Sequence, residues 1–572
     1  MMTASLLQRF VPITTWGRDY DRRDLRSDLA AGLTIGAMLV PQGMAYALLA
    51  GLPPEIGLYA SIVPVIVYAI FGTSRQLAVG PVAIVSLITA SALAPLFEQG
   101  TAGYISAAAL LALMVGAVHL VLGYGRLGFI TNFLSHSVLV GFTAAAAIVI
   151  GFSQVKHVMG ISIPRTDHFH ETVEEVVRAA DTTHATTLVL GIASIGLLLA
   201  MKRWIKQVPS ALVLVVLSIL AVELFDLTGR GVKTVGEIPN SLPAFGLPDL
   251  DTDTMGSLFV TALVITLVGF MESVAVAKVY ARRHRYDLDP NQELVALGYS
   301  NVASGLFGGY PVTGGFSRTA VNDAAGARTP LASIVTAVLV LITVVFLTPL
   351  FSSLPQAALG AIIIVAVLNL IDVKEMRHIA HVKRSDLVGL GVAFVATLSL
   401  GIELGILVAI VASMLVVFAR MSKPHTATVG RIPGTTSYRN TDRFPEAETD
   451  TGIRVIRIDA ALSFVNAQFV KRLTLDAAAT LDTEPKVLVL DCSGINDIDA
   501  TGAESLNEII TDLDESPVTL HLADVKGPVR DVLRRAGLWD RLDGRIHATP
   551  HQAVLTVQGL HATPGSLRDA GI

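Results

Sequence analysis

The chain has 572 residues, 16 % of them charged, a formal net charge of −5 and a mean hydropathy of +0.61. That is too apolar for a soluble protein of average composition, and the charge balance holds no basic excess for nucleic acid. A single cysteine, Cys492, excludes an intrachain disulfide. Residues 1–28 carry Arg9, Arg18, Arg22, Arg23 and Arg26 among acids, without a continuous apolar core. They read as a cytoplasmic segment rather than a cleavable signal.

Apolar spans of about 17–25 residues, the length that crosses a bilayer, then follow one another. The first half reads Leu29–Ala50, Glu55–Phe71, Leu77–Leu96, Ser106–Leu122, Ile130–Gly151, Thr187–Met201 and Val208–Phe225. A polar, acidic loop runs from Asp226 to Asp253. The second half reads Leu258–Tyr280, Glu293–Gly308, a short Pro311–Val321, Leu331–Leu347, Gln356–Ile371, Leu387–Leu398 and Leu404–Phe418. This predicts a membrane domain over 29–420, in halves of about 29–226 and 255–420. Loops after even-numbered spans hold Arg75, Arg126, Lys202, Arg203, Lys206, Arg282, Arg283, Lys374, Arg377, Arg420 and Lys423. The opposite loops hold mostly acids, Glu98, Glu171, Glu174, Glu175, Asp249, Asp251 and Asp253. The positive-inside rule therefore predicts both termini in the cytoplasm.

Two spans are broken. In the tenth, Gly308 to Arg318 reads GGYPVTGGFSR, and helical backbone does not run through its glycines and proline. Unpaired peptide groups at membrane depth are tolerated only inside protein or beside a watery cavity. A short helix from about Pro311 onward would point its N-terminus, worth about +0.5 charge, into that cavity. Arg318 would add a full charge about two turns further in, and an intramembrane charge is functional by default. The third segment echoes this with Gly80-Pro81-Val82 followed by Ser86. Broken segments at matching places in two halves point to an inverted-repeat transporter and its site. Glu272, midway along the eighth span, marks a pathway or proton relay on the same grounds.

After Lys423 the composition turns mixed. Ile453–Ile458, Lys486–Asp491 and Val518–His521 read as strands. Ala467–Ala479, Ala503–Leu513, Val529–Ala536 and Gln552–Gln558 read as amphipathic helices. The alternation predicts a small cytoplasmic α/β domain within 424–572. Other signals carry less. Gly123 to Gly128 fits G-x-G-x-x-G but follows an apolar span, so a dinucleotide site is rejected. His168 and His170 lack further ligands for a metal, and His119 and His136 read as packing or helix-end residues. No Ser-His-Asp, P-loop or zinc spacing appears. No enzyme, cofactor or metal is expected.

Several stretches together resemble a family. Residues 41–47 (PQGMAYA), 53–59, 72–75 (GTSR) and Gly80-Pro81 resemble the first three spans of the sulfate permease (SulP) anion transporters. Residues 291–298 (NQELVALG) and 313–322 (TGGFSRTAVN) resemble the ninth and tenth, and the C-terminal part resembles a STAS domain. The resemblance implies a mainly α membrane protein, a seven-plus-seven inverted repeat of 14 segments, followed by the small α/β STAS domain. It also implies a core of segments one to four and eight to eleven, a gate formed by the rest, and a homodimer. Gln42, Tyr46, Val82, Ser317 and Arg318 match positions that face the anion in relatives; Ala83, Thr313 and Gly315 flank them as further substrate-binding candidates. An acidic residue of the eighth span, here Glu272, is implied as the ion-coupling group.

The expected function is proton-coupled sulfate uptake across the cell inner membrane by an elevator-like movement. Bicarbonate uptake, with Na⁺ as an alternative coupling ion, and C4-dicarboxylate uptake are the rivals. A membrane-anchored STAS signalling protein is the reading from another class. Against it, phosphorylatable relatives carry Asp-Ser/Thr-Ser/Thr-Gly, whereas this chain has Asp499-Ala500-Thr501-Gly502. The expected partners are the anion, H⁺ or Na⁺, lipid and a second copy.

Overall fold

The computed structural model describes residues 11–560, apart from 19, 130–134, 165, 167 and 205–208. Arg9, Lys206 and the predicted span starts at Ile130 and Val208 lie outside the described residues. The chain forms two compact units, Met1–Ser413 and Met414–Ile572.

The membrane portion is a seven-plus-seven inverted repeat. Among the described residues, nine helices are long and apolar enough to cross a membrane. The remaining segments are shorter, including Ala83–Leu93, Ser210–Leu224, Pro290–Leu306 and Phe316–Ala324. Helix starts fall on polar residues that bound the apolar runs. Asp251 accepts from Thr254 N–H at 2.8 Å, and Asp289 from Asn291 N–H at 2.9 Å, each as an N-cap. Arg282 and Arg283 occupy the last turn of the long helix Thr252–His284, where cations suit the helix dipole.

Small residues let the helices approach closely. Ala102–Tyr124 packs along Pro290–Leu306, where a Cβ on Gly116 would stand 2.9 Å from Gly298 O and one on Gly305 2.6 Å from Ala109 O. Leu25–Leu49 packs on Leu331–Ile342, with Gly32 against Ala332 O. Those helices, with Val63–Phe71 and Thr252–His284, form one packed group. His136–Ser153, Arg384–Leu400, Ala185–Trp204 and Gln356–Leu368 form another. Two buried carboxylates hold the connecting turns of the first group. Glu293 accepts from Tyr68 Oη, Thr73 N and Oγ1, and Ser74 N at 2.6–3.0 Å. Asp28 accepts from Arg328 N, Thr329 N and Thr329 Oγ1 at 2.7–3.1 Å.

The tenth segment corrects one expectation. Its helix starts at Phe316, not near Pro311. Thr313–Gly314 (β2) is drawn into an antiparallel pair with Val79–Gly80 (β1), Val79 opposite Gly314 and Gly80 opposite Thr313. Two extended stretches at membrane depth satisfy each other's peptide groups. Arg318 therefore sits in the first helical turn rather than two turns further in. The helices Phe169–Arg178 and Val373–Val382 were not expected; both are too short and polar to register as spans.

The C-terminal unit is a six-stranded sheet in the order β4-β3-β5-β6-β7-β8. Its strands are Thr426–Arg431 (β3), Tyr438–Asn440 (β4), Ile453–Ile458 (β5), Val487–Asp491 (β6), Thr519–Ala523 (β7) and Ile546–His547 (β8). β5 to β8 run parallel, and β3 is antiparallel to β4 and β5. Helices Ala467–Ala479 and Ala500–Asp514 bury Val470, Leu506 and Ile509 on one face, over Leu488 and Leu490.

Candidate anion-binding site

The two broken segments meet where β1 pairs with β2. Beyond the pair each becomes a half-helix, Ala83–Leu93 after Val82 and Phe316–Ala324 after Gly315. Both N-cap residues are extended, and neither supplies a side-chain cap. The first turn-closing bonds run from Ser86 N–H to Val82 O and from Thr319 N–H to Gly315 O, both at 3.0 Å. The amides of 83–85 and 316–318 precede those bonds. Such amides, with the partial charge of the helix end, suit an anion.

Arg318 lies in that first turn and is 3 % exposed. Its Nη1 donates to Pro81 O at 2.7 Å, across to the other broken segment. Its Nε and Nη2 are buried without a hydrogen-bond partner. Glycine makes room for the guanidinium: a Cβ on Gly315 would stand 2.9 Å from Nη2. Buried donors are normally satisfied, and a planar fork of them matches the oxygens of an oxyanion.

Thr313 is spent on positioning. Its Oγ1 donates to Gly269 O at 2.6 Å and lies 2.7 Å from Ser273 Oγ, which accepts from Gly314 N–H at 2.8 Å. These bonds fasten β2 to the long helix beside Glu272. Glu272 Oε2 is buried without a hydrogen-bond partner. Its carboxyl is within electrostatic range of Arg318 and Tyr46. Gln42 and Tyr46 stand one turn apart on Leu25–Leu49, both buried, and Gln42 Oε1 also has no partner. Pro41 before them lacks the N–H that would serve Ala37 O.

A cavity of about 390 Å³ reaches this region. Thr34, Met38 and Gln42 line it with Ser317 and Val321, and Lys202 adds a cation. Lys202 Nζ donates to Asn369 Oδ1, another lining residue. Gln42 and Ser317 are thus at the cavity; Tyr46, Val82, Ala83, Thr313, Gly315, Arg318 and Glu272 are not among its lining residues.

Sequence reasoning missed the side chains that set the crossing. Asn301 pins Val312 at both peptide groups, Nδ2 to Val312 O and Val312 N to Oδ1, each at 2.9 Å. Ser304 Oγ donates to Tyr310 O at 2.6 Å, and the Tyr310 hydroxyl meets Ser86 Oγ at 2.9 Å. Polar residues in mid-span mark such interhelical bonds, so Asn301 and Ser273 were within reach of the sequence.

A model of the sulfate permease family matches residues 25–393, and one of the STAS domain matches residues 444–553. The chain is 38 % identical to "Sulfate transporter 4.1, chloroplastic" of Arabidopsis thaliana, over 94 % of this chain and 81 % of that one. It is 37 % identical to a probable sulfate transporter of Mycobacterium tuberculosis, over 92 % of this chain and 94 % of that one. The structure of the murine Solute Carrier 26 family member A9 anion transporter in the inward-facing state superposes with a TM-score of 0.89 at 25 % identity. That match covers 97 % of this chain and 95 % of the other. With its paired broken segments, its buried arginine and its C-terminal sheet, this chain belongs to the sulfate permease family and carries a STAS domain.

Proposed function

We propose that the chain is a secondary active transporter that takes up sulfate together with protons. The observation that carries this reading is the convergence of two uncapped half-helix starts on Arg318, whose Nε and Nη2 have no protein partner. Two helix ends supply about +1 and Arg318 brings the site to about +2, which balances a doubly charged tetrahedral anion. The name "sulfate transporter" on two relatives supports that anion.

Glu272 is the coupling group. Ionised, it lowers the local charge to about +1, enough for a monoanion and poor for sulfate. Protonated, it restores about +2. A proton on Glu272 and a dianion beside it therefore favour each other, and reciprocity makes that coupling mutual. The substrate contacts are Gln42, Tyr46, Val82, Ala83, Gly315, Ser317 and Arg318, with Thr313 holding β2 in place.

The first packed helix group is the moving core and the second the gate, in an elevator-like cycle. The loop between the halves spans both: Val235 N–H bonds to Leu354 O at 2.9 Å, while Gly246 N–H bonds to Leu306 O at 2.8 Å. The protein works as a homodimer in the cell inner membrane, with both termini and the STAS domain in the cytoplasm, because the basic loops follow even-numbered spans.

Uptake of labelled sulfate into proteoliposomes, challenged by excess unlabelled anions, tests the substrate. Sulfate competes on this reading, while bicarbonate and C4-dicarboxylates do not. Effective competition by bicarbonate and not by sulfate would reject it.

A further inference from the structure

Two chain connections pass between the packed helix groups at the end where Asp249 and Asp251 lie. The loop 226–251 leads from Ser210–Leu224, which packs on Ala185–Trp204 of the second group, into Thr252–His284 of the first. Residues 343–355 lead the other way, from Leu331–Ile342 of the first group into Gln356–Leu368 of the second. The two connections are stitched to each other. Thr234 pairs with Pro355 in an antiparallel bridge. Gln356 N–H bonds to Lys233 O at 3.0 Å, Val235 N–H to Leu354 O at 2.9 Å and Gly236 N–H to Ser352 O at 3.0 Å. Gln356 Nε2 adds a bond to Thr234 O at 3.3 Å. Just before the stitch, Thr343–Leu347 winds as a π-helix and Thr348–Phe351 as a 3₁₀ turn, irregular backbone of the kind found at hinges.

Further along the loop the contacts change group. Tyr59 Oη donates to Ser241 O at 3.0 Å and lies 2.7 Å from Ser241 Oγ. Gly246 N–H bonds to Leu306 O at 2.8 Å, and the Phe245 ring meets Phe307 at 5.5 Å between centroids. Asp249 N–H donates to Ser106 Oγ at 2.9 Å. Ser106 and Leu306 lie on first-group helices, and Pro54–Tyr59 packs on Leu25–Leu49. Residues 237–240 separate these clamps from the stitch. Ile238 is buried there, while Glu237, Pro239 and Asn240 are exposed. The backbone from 235 to 250 runs without a turn, and Pro239, Pro243 and Pro248 hold it extended. From Gly236 to Ser241 such a stretch reaches at most about 18 Å, so it has little slack.

We propose that the two connections act as one hinge. The stitch at 233–236 travels with the second helix group, and the clamps at 241–249 travel with the first. The taut stretch 237–240 swings between them. A strap of fixed length lets one group slide or rotate past the other, and it opposes their separation. Gly236, at φ +84°, stands where the strap leaves the stitch, in backbone that other residues rarely adopt. This inference rests on the elevator-like cycle proposed above.

The test uses disulfide locks in the full-length protein in sealed proteoliposomes; the native Cys492 is buried and stays in place. Thr234→Cys with Pro355→Cys locks the stitch. Facing residues of this kind of bridge lie about 4.5 Å apart at Cα, within disulfide reach. Ser106→Cys with Asp249→Cys locks a clamp. Each lock alone, and both together, leave sulfate uptake the same in oxidised and reduced protein. Deleting Pro239 and Asn240 from the doubly locked protein shortens the strap by about 7 Å. Oxidised, this variant binds sulfate but loses uptake, and dithiothreitol restores uptake because the freed ends yield. The single locks need no deletion, so they judge the proposal even where the shortened loop does not fold. Locks that fail to form by mass spectrometry overturn the proposal. So does uptake lost on forming either lock in the uncut loop, or full uptake by the oxidised, shortened, doubly locked protein. No sulfate uptake by the unlocked wild type rejects the function reading, and the hinge with it; a loss confined to oxidised forms cannot arise that way.

Discussion

Arg318 Nη1 donates to Pro81 O at 2.7 Å, so the guanidinium of one broken segment is tied to the backbone of the other. The remaining donors, Nε and Nη2, are buried without a protein partner, with Nη2 close to Gly315 at the start of the second half-helix. Arg318→Ala removes both the tie and the fork. Leaving a desolvated dianion without its charged partner costs about 2–5 kcal/mol. Sulfate affinity measured by equilibrium binding falls accordingly, and Arg318→Lys recovers only part because an ammonium lacks the planar fork. Wild-type affinity in Arg318→Ala would make this residue structural.

Glu272→Gln mimics the protonated acid. The variant still binds sulfate, loses the pH dependence of binding, and fails to accumulate sulfate against a gradient. Counterflow and net uptake, measured on the same vesicles, separate these effects. Net accumulation by the variant would assign proton coupling to another group.

Glu293 receives four hydrogen bonds, from Tyr68, Thr73 and Ser74. Glu293→Ala leaves the Thr73 and Ser74 amides without their acceptor, at about 1–3 kcal/mol for each buried donor. The turn they belong to leads directly into β1. The detergent-solubilised variant should unfold several degrees below wild type in a thermal melt, a shift of the size such losses produce. An unchanged melting temperature would mean that the turn holds without this carboxylate.

The STAS loop predicts no phospho-switch. Asp499 spends Oδ1 on Gly502 N–H at 2.7 Å and Oδ2 on Phe464 N–H at 2.9 Å, capping the helix Ala500–Asp514. Ala500 offers no hydroxyl, while Thr501 is exposed. Thr501→Ala leaves uptake unchanged, and phosphoproteomics of cells expressing the wild type finds no stoichiometric modification there. Stoichiometric phospho-Thr501 that alters uptake would contradict this.

His521 and His547 sit on β7 and β8 with Nδ1 and Nε2 2.8 Å apart. Burial, with His547 and Arg545 nearby, lowers the His521 pKa to about 4, and burial also lowers that of His547. An imidazole whose folded pKa lies below its unfolded value of about 6.5 stays neutral in the fold. The unfolded chain takes up the proton first, so stability falls as pH drops from about 6.5 towards 4. The loss from His521 is on the order of 3 kcal/mol at most. Thermal melts of a fragment spanning 424–560 at pH 7 and pH 5 check this, and His521→Phe flattens the difference. A fragment equally stable at both values would reject it.

Much of this architecture is legible in the chain, because apolar length and breaker residues report directly on spans. Gly80-Pro81 and Gly314-Gly315 mark the two broken segments, while the ninth helix starts at Pro290, three residues before the Glu293 read from hydropathy. Three things were not legible. The pairing of Val79–Gly80 with Thr313–Gly314 joins residues more than two hundred positions apart, and no local pattern encodes that register. It is this pairing that delays the second half-helix to Phe316 and sets Arg318 at its mouth. Asn301 and Ser273 stand out in the sequence as polar residues in mid-span, but their partners, both peptide groups of Val312 and the Gly314 amide, are fixed only by the fold. The short edge strand Ile546–His547 was missed for want of length.

Proton coupling is the central claim, and sulfate uptake into sealed proteoliposomes under imposed gradients tests it most directly. An inward proton gradient should drive uptake above equilibrium in wild type and not in Glu272→Gln, with an inward Na⁺ gradient alone doing nothing. Uptake indifferent to the proton gradient and driven by Na⁺ would contradict the mechanism.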